Sequence, residues 1–509
     1  MHYYADYIIT IASAIKLYGF KISKILGRQD EIILLKEILY SELPQFLAIY
    51  GRRRVGKTYL IRNYFTEKEQ VVFFDATGLK SASMLDQLAN FTIRISEVFY
   101  NGVKLQPDKN WRSIFKTLTD TFKTIPKNKK IVIFLDEFPW MATNKSGLLQ
   151  SLDYFWNQYW SKDDRVKLII CGSSASWILE KIINNKGGLH NRITASILLE
   201  PFKLKDTKQL LEDQGLNLTN QQLVDLYMVT GGIPYYLSKF KKGLSIAQNI
   251  EQIAFKKNAF LLNEFDNLFS SLFDQADIYI DIIRYIAQNK SGVSQAELFN
   301  HIKNISTGGQ ATKKLRALED TGFIKSFTPY SHHKKGIYYR VIDEFTLFYL
   351  KWIEPIKQTL FSTGVAHHYW ENQMQTQDWI IWSGYAFESV CYKHLVQISN
   401  SLKINPISVP NAWRYIPKKN SAERGAQIDL LFDRPDNAIT LCEIKYSSKP
   451  FTIDKEYADA LRRKIIVFQK QTKTKKQIFF SLIAANGVTN NYYAESIINQ
   501  VITLNDLIM

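Results

Sequence analysis

Hydrophobic residues along the chain fall into patterns of different period, and each pattern predicts a different kind of element. Between residues 45 and 200 they gather in short unbroken runs: Phe46-Leu47-Ala48-Ile49-Tyr50, Val71-Val72-Phe73-Phe74, Ile131-Val132-Ile133-Phe134-Leu135, Leu168-Ile169-Ile170-Cys171 and Ile193 to Leu199. Runs this short and this apolar predict strands buried on both faces, as in a parallel sheet flanked by helices. Further on the period lengthens. Ile278 to Ala287 has helical spacing, Gly292 to Leu298 carries a serine N-cap, and Gly309 to Leu318 predicts a third helix. Tyr330 to Val341 reads as a hairpin with Lys334-Lys335-Gly336 at its tip. The last third returns to an α/β pattern: a helix starting at Trp382, the strand Gln427 to Phe432, the turn Asp433 to Asn437 and the strand Ile439 to Lys445.

The first apolar run leads directly into Gly51-Arg52-Arg53-Arg54-Val55-Gly56-Lys57-Thr58, a complete G-x-x-x-x-G-K-[ST] phosphate loop, and apolar-periodic Leu60-Ile61 follow it. A strand to launch the loop, glycines that let backbone N–H groups wrap phosphate oxygens, and a helix N-terminus that favours an anion are all in place. Lys57 is expected to reach the β- and γ-phosphates of ATP, and the Thr58 hydroxyl to hold Mg²⁺. The run from Ile131 delivers two acids at its C-terminal end. Asp136 is expected to hold the metal through its water shell, and Glu137 to act as the base that polarises the attacking water. That pair predicts ATP hydrolysis rather than nucleotide storage. Ser173-Ser174, after the fourth run, either senses the γ-phosphate or caps the next helix. Arg192, on a loop before the fifth run, is either an arginine finger or an ordinary surface arginine.

Together with Leu26-Gly27-Arg28-Gln29-Asp30-Glu31 upstream and Thr230-Gly231-Gly232-Ile233-Pro234-Tyr235-Tyr236-Leu237 downstream, these motifs make roughly residues 20 to 350 resemble the archaeal-type ATPase family, a branch of the AAA+/STAND P-loop ATPases. The resemblance implies that Gly27 and Arg28 lie near the adenine. It also implies that Gly232 and Pro234 begin a helical lid over the nucleotide. Asp343 to Tyr349 resembles the Asp-x-Phe segment that closes the ATPase-plus-winged-helix unit of that family. Three helices and a basic-tipped hairpin look like a winged helix, with Lys313, Lys314 and Arg316 on the helix that makes groove contacts. Docking within the molecule is the alternative use of such a unit.

Strand side chains alternate, so Glu443 and Lys445 project from one face, and the preceding strand can bring Asp429 beside them. Two carboxylates and a lysine, with Glu388 on a flanking helix, are what phosphodiester cleavage needs: acids for Mg²⁺ (Asp429 and Glu443) and an ammonium to steady developing charge. This constellation resembles the PD-(D/E)xK nuclease superfamily. One departure is the lack of a Q-x-x-x-Y on the following helix, around Leu461 to Gln469. A nuclease fold retired to docking is the alternative.

Composition adds less. The 509 residues exceed a single core, and 46% hydrophobic content with 28 Tyr and 31 Phe argues for packed domains over extended disorder. A formal net charge of +17 favours an anionic partner beyond ATP, nucleic acid first and DNA in particular. A homo-oligomer or a protein partner also fits. Three cysteines without a C-x-x-C pair indicate neither a disulfide framework nor a cysteine zinc site, and suggest the reducing cytoplasm. The segment Tyr3 to Phe20 carries Asp6 and Lys16 and fails as a signal peptide or membrane span, so no membrane association is expected.

The expected fold is α/β. A tail or helix over 1–22 precedes a P-loop ATPase core with a parallel sheet over 23–203, a helical lid over 204–272 and a winged helix over 273–350. A helical connector over 351–382 and a restriction-endonuclease-like α/β domain over 383–509 follow. The expected function is an ATP-hydrolysing AAA+-type protein joined to a metal-dependent nuclease domain acting on nucleic acid. Its rival is a STAND-type regulatory ATPase whose nuclease-like domain is inactive and binds protein.

Overall fold

The computed structural model describes residues 25–143, 145–184, 189, 191–290, 292–302, 308–330, 336–365, 367–405, 408–417 and 424–509. The tail expected over 1–22 and the Lys334-Lys335 tip lie outside the described residues. The chain forms two compact units: one holds the residues up to Tyr50, Gly56–Gly172 and Trp177–Leu199, the other Gly51–Val55, Ser173–Ser176 and Glu200–Met509.

In the first unit the apolar runs become β1 (Gln45–Tyr50), β2 (Val71–Thr77), β3 (Lys130–Asp136), β4 (Val166–Gly172) and β5 (Ala195–Leu198). All neighbours are parallel, in the order β2-β3-β4-β1-β5. Alternate residues of β1, β3 and β4 (Phe46, Ala48, Ile131, Ile133, Leu168, Ile170) pack with Phe91, Trp111, Phe115 and Trp160 into one core, which is why these strands read as continuous apolar sequence. The order seats β4 between β1 and β3, with Tyr50 opposite Gly172 and Leu135 opposite Ile170. The C-terminal ends of the strands bearing the phosphate loop and the two acids therefore flank the end of β4, where ligands bind in open parallel sheets.

The second unit begins with helices Leu204–Asp213 and Asn220–Thr230, the latter started by a reciprocal cap between Thr219 and Gln222. The short helix Pro234–Leu237 and helices Ile246–Ala254 and Glu264–Leu272 follow. Helices Ala276–Gln288, Gln295–His301 and Gly309–Asp320 then surround a small antiparallel sheet of β6 (Val293–Ser294), β7 (Ile324–Phe327) and β8 (Tyr338–Val341), ordered β6-β8-β7.

The hairpin expected from Tyr330 thus has its first strand earlier, at Ile324. Tyr330 is recruited elsewhere: its N–H donates to the Ala412 carbonyl at 3.1 Å and its ring stacks 5.7 Å from Phe468. Of the three basic residues expected to meet DNA, Lys313 and Arg316 are exposed. Lys314 instead donates to Gln275 Oε1 at 2.9 Å and sits 4.9 Å from the Tyr279 ring.

Trp352, Trp370, Trp379 and Trp382 cluster edge to face or tilted, holding the connecting segment to the start of helix Gln377–Lys393. That helix begins before the expected Trp382, because the Thr376 hydroxyl caps it by accepting from Trp379 N at 3.3 Å. The chain ends in a mixed sheet ordered β13-β12-β11-β10-β9, from β9 (Val409–Tyr415), β10 (Ala426–Asp433), β11 (Ala438–Lys445), β12 (Gln477–Ala484) and β13 (Gln500–Ile502). β9, β10 and β11 pair antiparallel, and β11, β12 and β13 parallel. Helix Lys455–Thr472 covers one face through Leu461 and Phe468, which join Ile428, Leu431, Leu441 and Phe480 in a core. Among the described residues no helix is long and apolar enough to cross a membrane.

Candidate functional site

β1 ends at Tyr50, Gly51 to Gly56 turn the chain, and helix Lys57–Phe65 starts at once, with Gly56 at φ 96°. Lys57 is buried. The Thr58 hydroxyl lies 2.9 and 3.1 Å from the two Asp136 oxygens, to which it donates. These are hard oxygen donors of the kind Mg²⁺ takes, so the pair suits that ion. Asp136 Oδ1 also accepts from Glu137 N at 3.1 Å.

Glu137 itself adopts φ 46°, a left-handed conformation that costs a non-glycine residue energy and turns it out of the strand line. Its position depends on Gly78, whose N–H donates to the Asp136 carbonyl at 2.9 Å. A Cβ on Gly78 would lie 2.5 Å from the Glu137 carbonyl oxygen. Ser173 is buried and Ser174 half-buried just beyond β4, while Arg192 is exposed in the turn before β5. Gly27 and Arg28 are both left-handed and open helix Gln29–Tyr40, with Arg28 3.4 Å from Glu31.

The loop arginines have acidic partners far along the chain. Arg52 is buried against Asp343, with its guanidinium 4.9 Å from the Phe323 ring. Burial alone would raise the Asp343 pKa, but Arg52 and Lys393 hold it below the ordinary carboxylate value. Asp343 also caps helix Glu344–Phe348 by accepting from Thr346 N at 2.9 Å. Arg54 lies 2.8 Å from Glu264 and stacks 4.6 Å from both Tyr235 and Phe260. Burial raises the pKa of Glu264, which accepts from the Tyr236 hydroxyl at 2.8 Å. Arg53 is half-buried and Val55 buried. Gly232 has φ 71°, and a Cβ there would come within 2.0 Å of the Phe202 carbonyl, so only glycine fits directly before Ile233 and the helix-opening Pro234. Neither Asp343 nor Glu264 had been singled out as an arginine partner, since nothing local announces a contact across such a sequence distance.

A second cluster lies in the C-terminal sheet. The register of β10 on β11 pairs Leu430 with Cys442, so Asp429 and Glu443 face each other one step further on. Asp429 Oδ2 accepts from Ile444 N at 3.0 Å. Glu443 accepts from Lys445 at 3.0 Å, from Lys464 at 2.7 and 2.9 Å, and from the Tyr457 hydroxyl at 3.1 Å. Glu388, on helix Gln377–Lys393, is pushed up to about 8 by burial and by Asp429. Asp429 rises to about 6 through burial and Glu443. Burial works in the same direction on Glu443, but Lys464 and Lys445 outweigh it and keep this carboxylate ionised. Arg340, on β8, stacks 4.2 Å from Tyr392, whose hydroxyl donates to the Asp429 carbonyl.

The four expected residues are therefore brought together, and Lys464, Tyr457, Arg340 and Tyr392 join them unannounced. Tyr457 and Lys464 stand two helical turns apart, a spacing that could have placed them on one face. Among the described residues no three His, Cys, Asp or Glu side chains gather so as to hold a metal ion. Asp429 and Glu443 form a two-carboxylate donor set, which suits Mg²⁺ because that ion keeps several waters.

A phosphate loop followed by strand-end acids on a parallel sheet defines a P-loop ATPase domain. Residues 26–240 match a family model described as an ATPase domain predominantly from Archaea, which supports an ATP-binding ATPase in that part of the chain. The chain is also similar to an uncharacterized protein of Methanocaldococcus jannaschii, 27% identical over 447 residues, or 86% of this chain and 92% of that one. Among solved structures, a Walker-type ATPase of Pyrococcus abyssi aligns over 64% of this chain and 96% of its own, at 17% identity and a TM-score of 0.46. The ORC2 protein of Aeropyrum pernix, in its ADPNP–ADP complexes, aligns over 67% and 96% at 16% identity and a TM-score of 0.43.

Proposed function

We propose that this protein is a cytoplasmic AAA+-type ATP-hydrolysing switch coupled to a metal-dependent nuclease domain that acts on nucleic acid, DNA above all. The observation that carries the coupled reading is the convergence of Glu388, Asp429, Glu443 and Lys445 from a helix and two strands. In the ATPase site the backbone of Gly51 to Gly56 and the Lys57 ammonium bind the phosphates. Glu137 accepts the proton of the attacking water as its oxygen bonds to the γ-phosphorus and the bond to the bridging oxygen breaks, leaving ADP with the electron pair. Gly27 and Arg28 border the adenine, Ser173 and Ser174 sense the γ-phosphate, and Gly232 and Pro234 begin the lid. The exposure of Arg192 suits a finger offered to a neighbouring copy.

In the nuclease-like site Lys445 steadies charge on the phosphodiester while water bonds to phosphorus and the sugar oxygen leaves, taking a proton. Thr58 and Asp136 in one site, and Asp429 and Glu443 in the other, would hold Mg²⁺, which would supply neutralising charge and a more acidic water. Helices 276–320 with β6, β7 and β8 serve as a winged helix, presenting Lys313 and Arg316 to DNA. Three free, buried cysteines fit a reducing compartment. The test is incubation of the full chain with DNA and RNA, in Mg²⁺ or Mn²⁺, with and without ATP. Cleavage that EDTA stops is expected, and silence under every condition would contradict the nuclease reading.

The full occupation of Glu443 by cations favours a second reading, a STAND-type regulatory ATPase whose nuclease-like domain docks a protein. Silence in the same assay would select it.

A further inference from the structure

We propose that Lys464 is a displaceable counter-ion of the carboxylate cluster: it occupies Glu443 until a divalent cation arrives, and then pairs with the nucleic-acid phosphate that enters with that cation. This rests on the nuclease-like reading of Asp429 and Glu443. Glu443 is 3% exposed, and both of its oxygens are engaged, Oε2 by Lys464 at 2.7 Å and Oε1 by Lys464, Lys445 and Tyr457 at 2.9, 3.0 and 3.1 Å. A metal ion repels the ammonium groups held against the same carboxylate, so its arrival at Glu443 favours a lysine giving way.

The two lysines differ in how readily they can leave. Lys445 sits on the same strand as Glu443, hydrogen-bonds Tyr457 and lies 5.4 Å from that ring and 6.0 Å from Phe451. Lys464 reaches in from helix Lys455–Thr472, and its hydrogen bonds among the described residues all go to Glu443. Its four-carbon stem lets the ammonium swing while the helix stays in place.

An ammonium displaced from Glu443 by a divalent cation, with Lys445 on the same carboxylate, loses its hydrogen-bonded partner and is repelled by the metal until an anion enters. A phosphodiester provides one. Metal alone therefore has to break an ion pair, whereas metal and phosphate together exchange one pair for another. The two ligands must then bind cooperatively, each tightening the other by the same factor.

The experiment uses the full chain carrying Asp136→Asn and free of nucleotide, so that the acid at the phosphate loop does not contribute. Mn²⁺ binding is followed by electron paramagnetic resonance, with and without a single-stranded oligothymidylate. With Lys464 present, the oligonucleotide should tighten Mn²⁺ binding by about fivefold or more. Lys464→Met should bind Mn²⁺ alone about fivefold more tightly, with the oligonucleotide adding nothing, and Lys464→Arg should keep the cooperative behaviour. Mn²⁺ binding that Asp429→Ala removes but Lys464→Met leaves unchanged would overturn the proposal while the metal-site reading stands. No Mn²⁺ binding with either Lys464 or Met at this position would overturn the reading itself.

Discussion

The phosphate loop takes Lys57 and Thr58 from one stretch of chain and its two acids from the end of one strand. The carboxylate cluster instead draws Glu388, Asp429, Glu443 and Lys445 from a helix and two strands, and its counter-ion Lys464 from another helix. In the first site the acids are poised: Thr58 and Asp136 touch, and Glu137 stands beside them. In the second, burial and mutual repulsion raise the pKa of Glu388 and Asp429, and lysines pair with Glu443 and lower its pKa. In the first, hydroxyl and carboxylate meet directly, whereas the second offsets the charge of Glu443 with its own lysines, and a cation entering there has to undo that pairing.

The sharpest way to break the comparison is at the poised site. Lys57→Ala should abolish ATP binding, measured with a fluorescent nucleotide. Glu137→Gln should bind ATP yet hydrolyse it at least about a hundredfold more slowly. Near-normal turnover in Glu137→Gln would remove the base from the account. Next in size is the buried pair behind the loop. Asp343→Ala leaves the Arg52 guanidinium buried without its acid and should cost about 3–5 kcal/mol in denaturant unfolding. A joint Arg52→Met, Asp343→Leu exchange should recover most of that loss, and no recovery would mean that the loss comes from the Asp343 cap on Thr346 and not from the stranded guanidinium.

These partners mark where sequence reading stops. Unbroken apolar runs and a contiguous motif made the parallel sheet, the phosphate loop, Asp136 and Glu137 legible, because strand burial and phosphate wrapping are local requirements. Alternation along β11 placed Glu443 and Lys445 on one face, and the short connection from β10 brought Asp429 to them. Asp343, Glu264 and Lys464 escaped notice because each is defined by the charge it meets across the fold. The first strand of the hairpin was misplaced for a related reason: Tyr330 suits a strand locally, but pairs with Ala412 and Phe468 instead.

Smaller effects sharpen the contrast. Gly78→Ala would press a methyl group on the Glu137 carbonyl and should lower ATP turnover about tenfold with little change in ATP affinity, since a displaced base acts on the transition state. Equal losses in affinity and turnover would instead indicate general distortion. Smallest is the joint Lys313→Ala, Arg316→Ala change, which should reduce the slope of log affinity against log salt for DNA by up to about two units while leaving ATP turnover alone. An unchanged slope would assign that helix to docking inside the molecule.

The central claim is that one chain carries two chemically separate phosphate-cleaving sites. Its most direct test is to measure ATP hydrolysis and nucleic-acid cleavage side by side in the native protein and in Asp429→Ala, with Mg²⁺ and with Mn²⁺. The account predicts that Asp429→Ala loses cleavage and keeps its full rate of ATP hydrolysis. Cleavage that persists in Asp429→Ala, or ATP hydrolysis that falls with it, would contradict the claim.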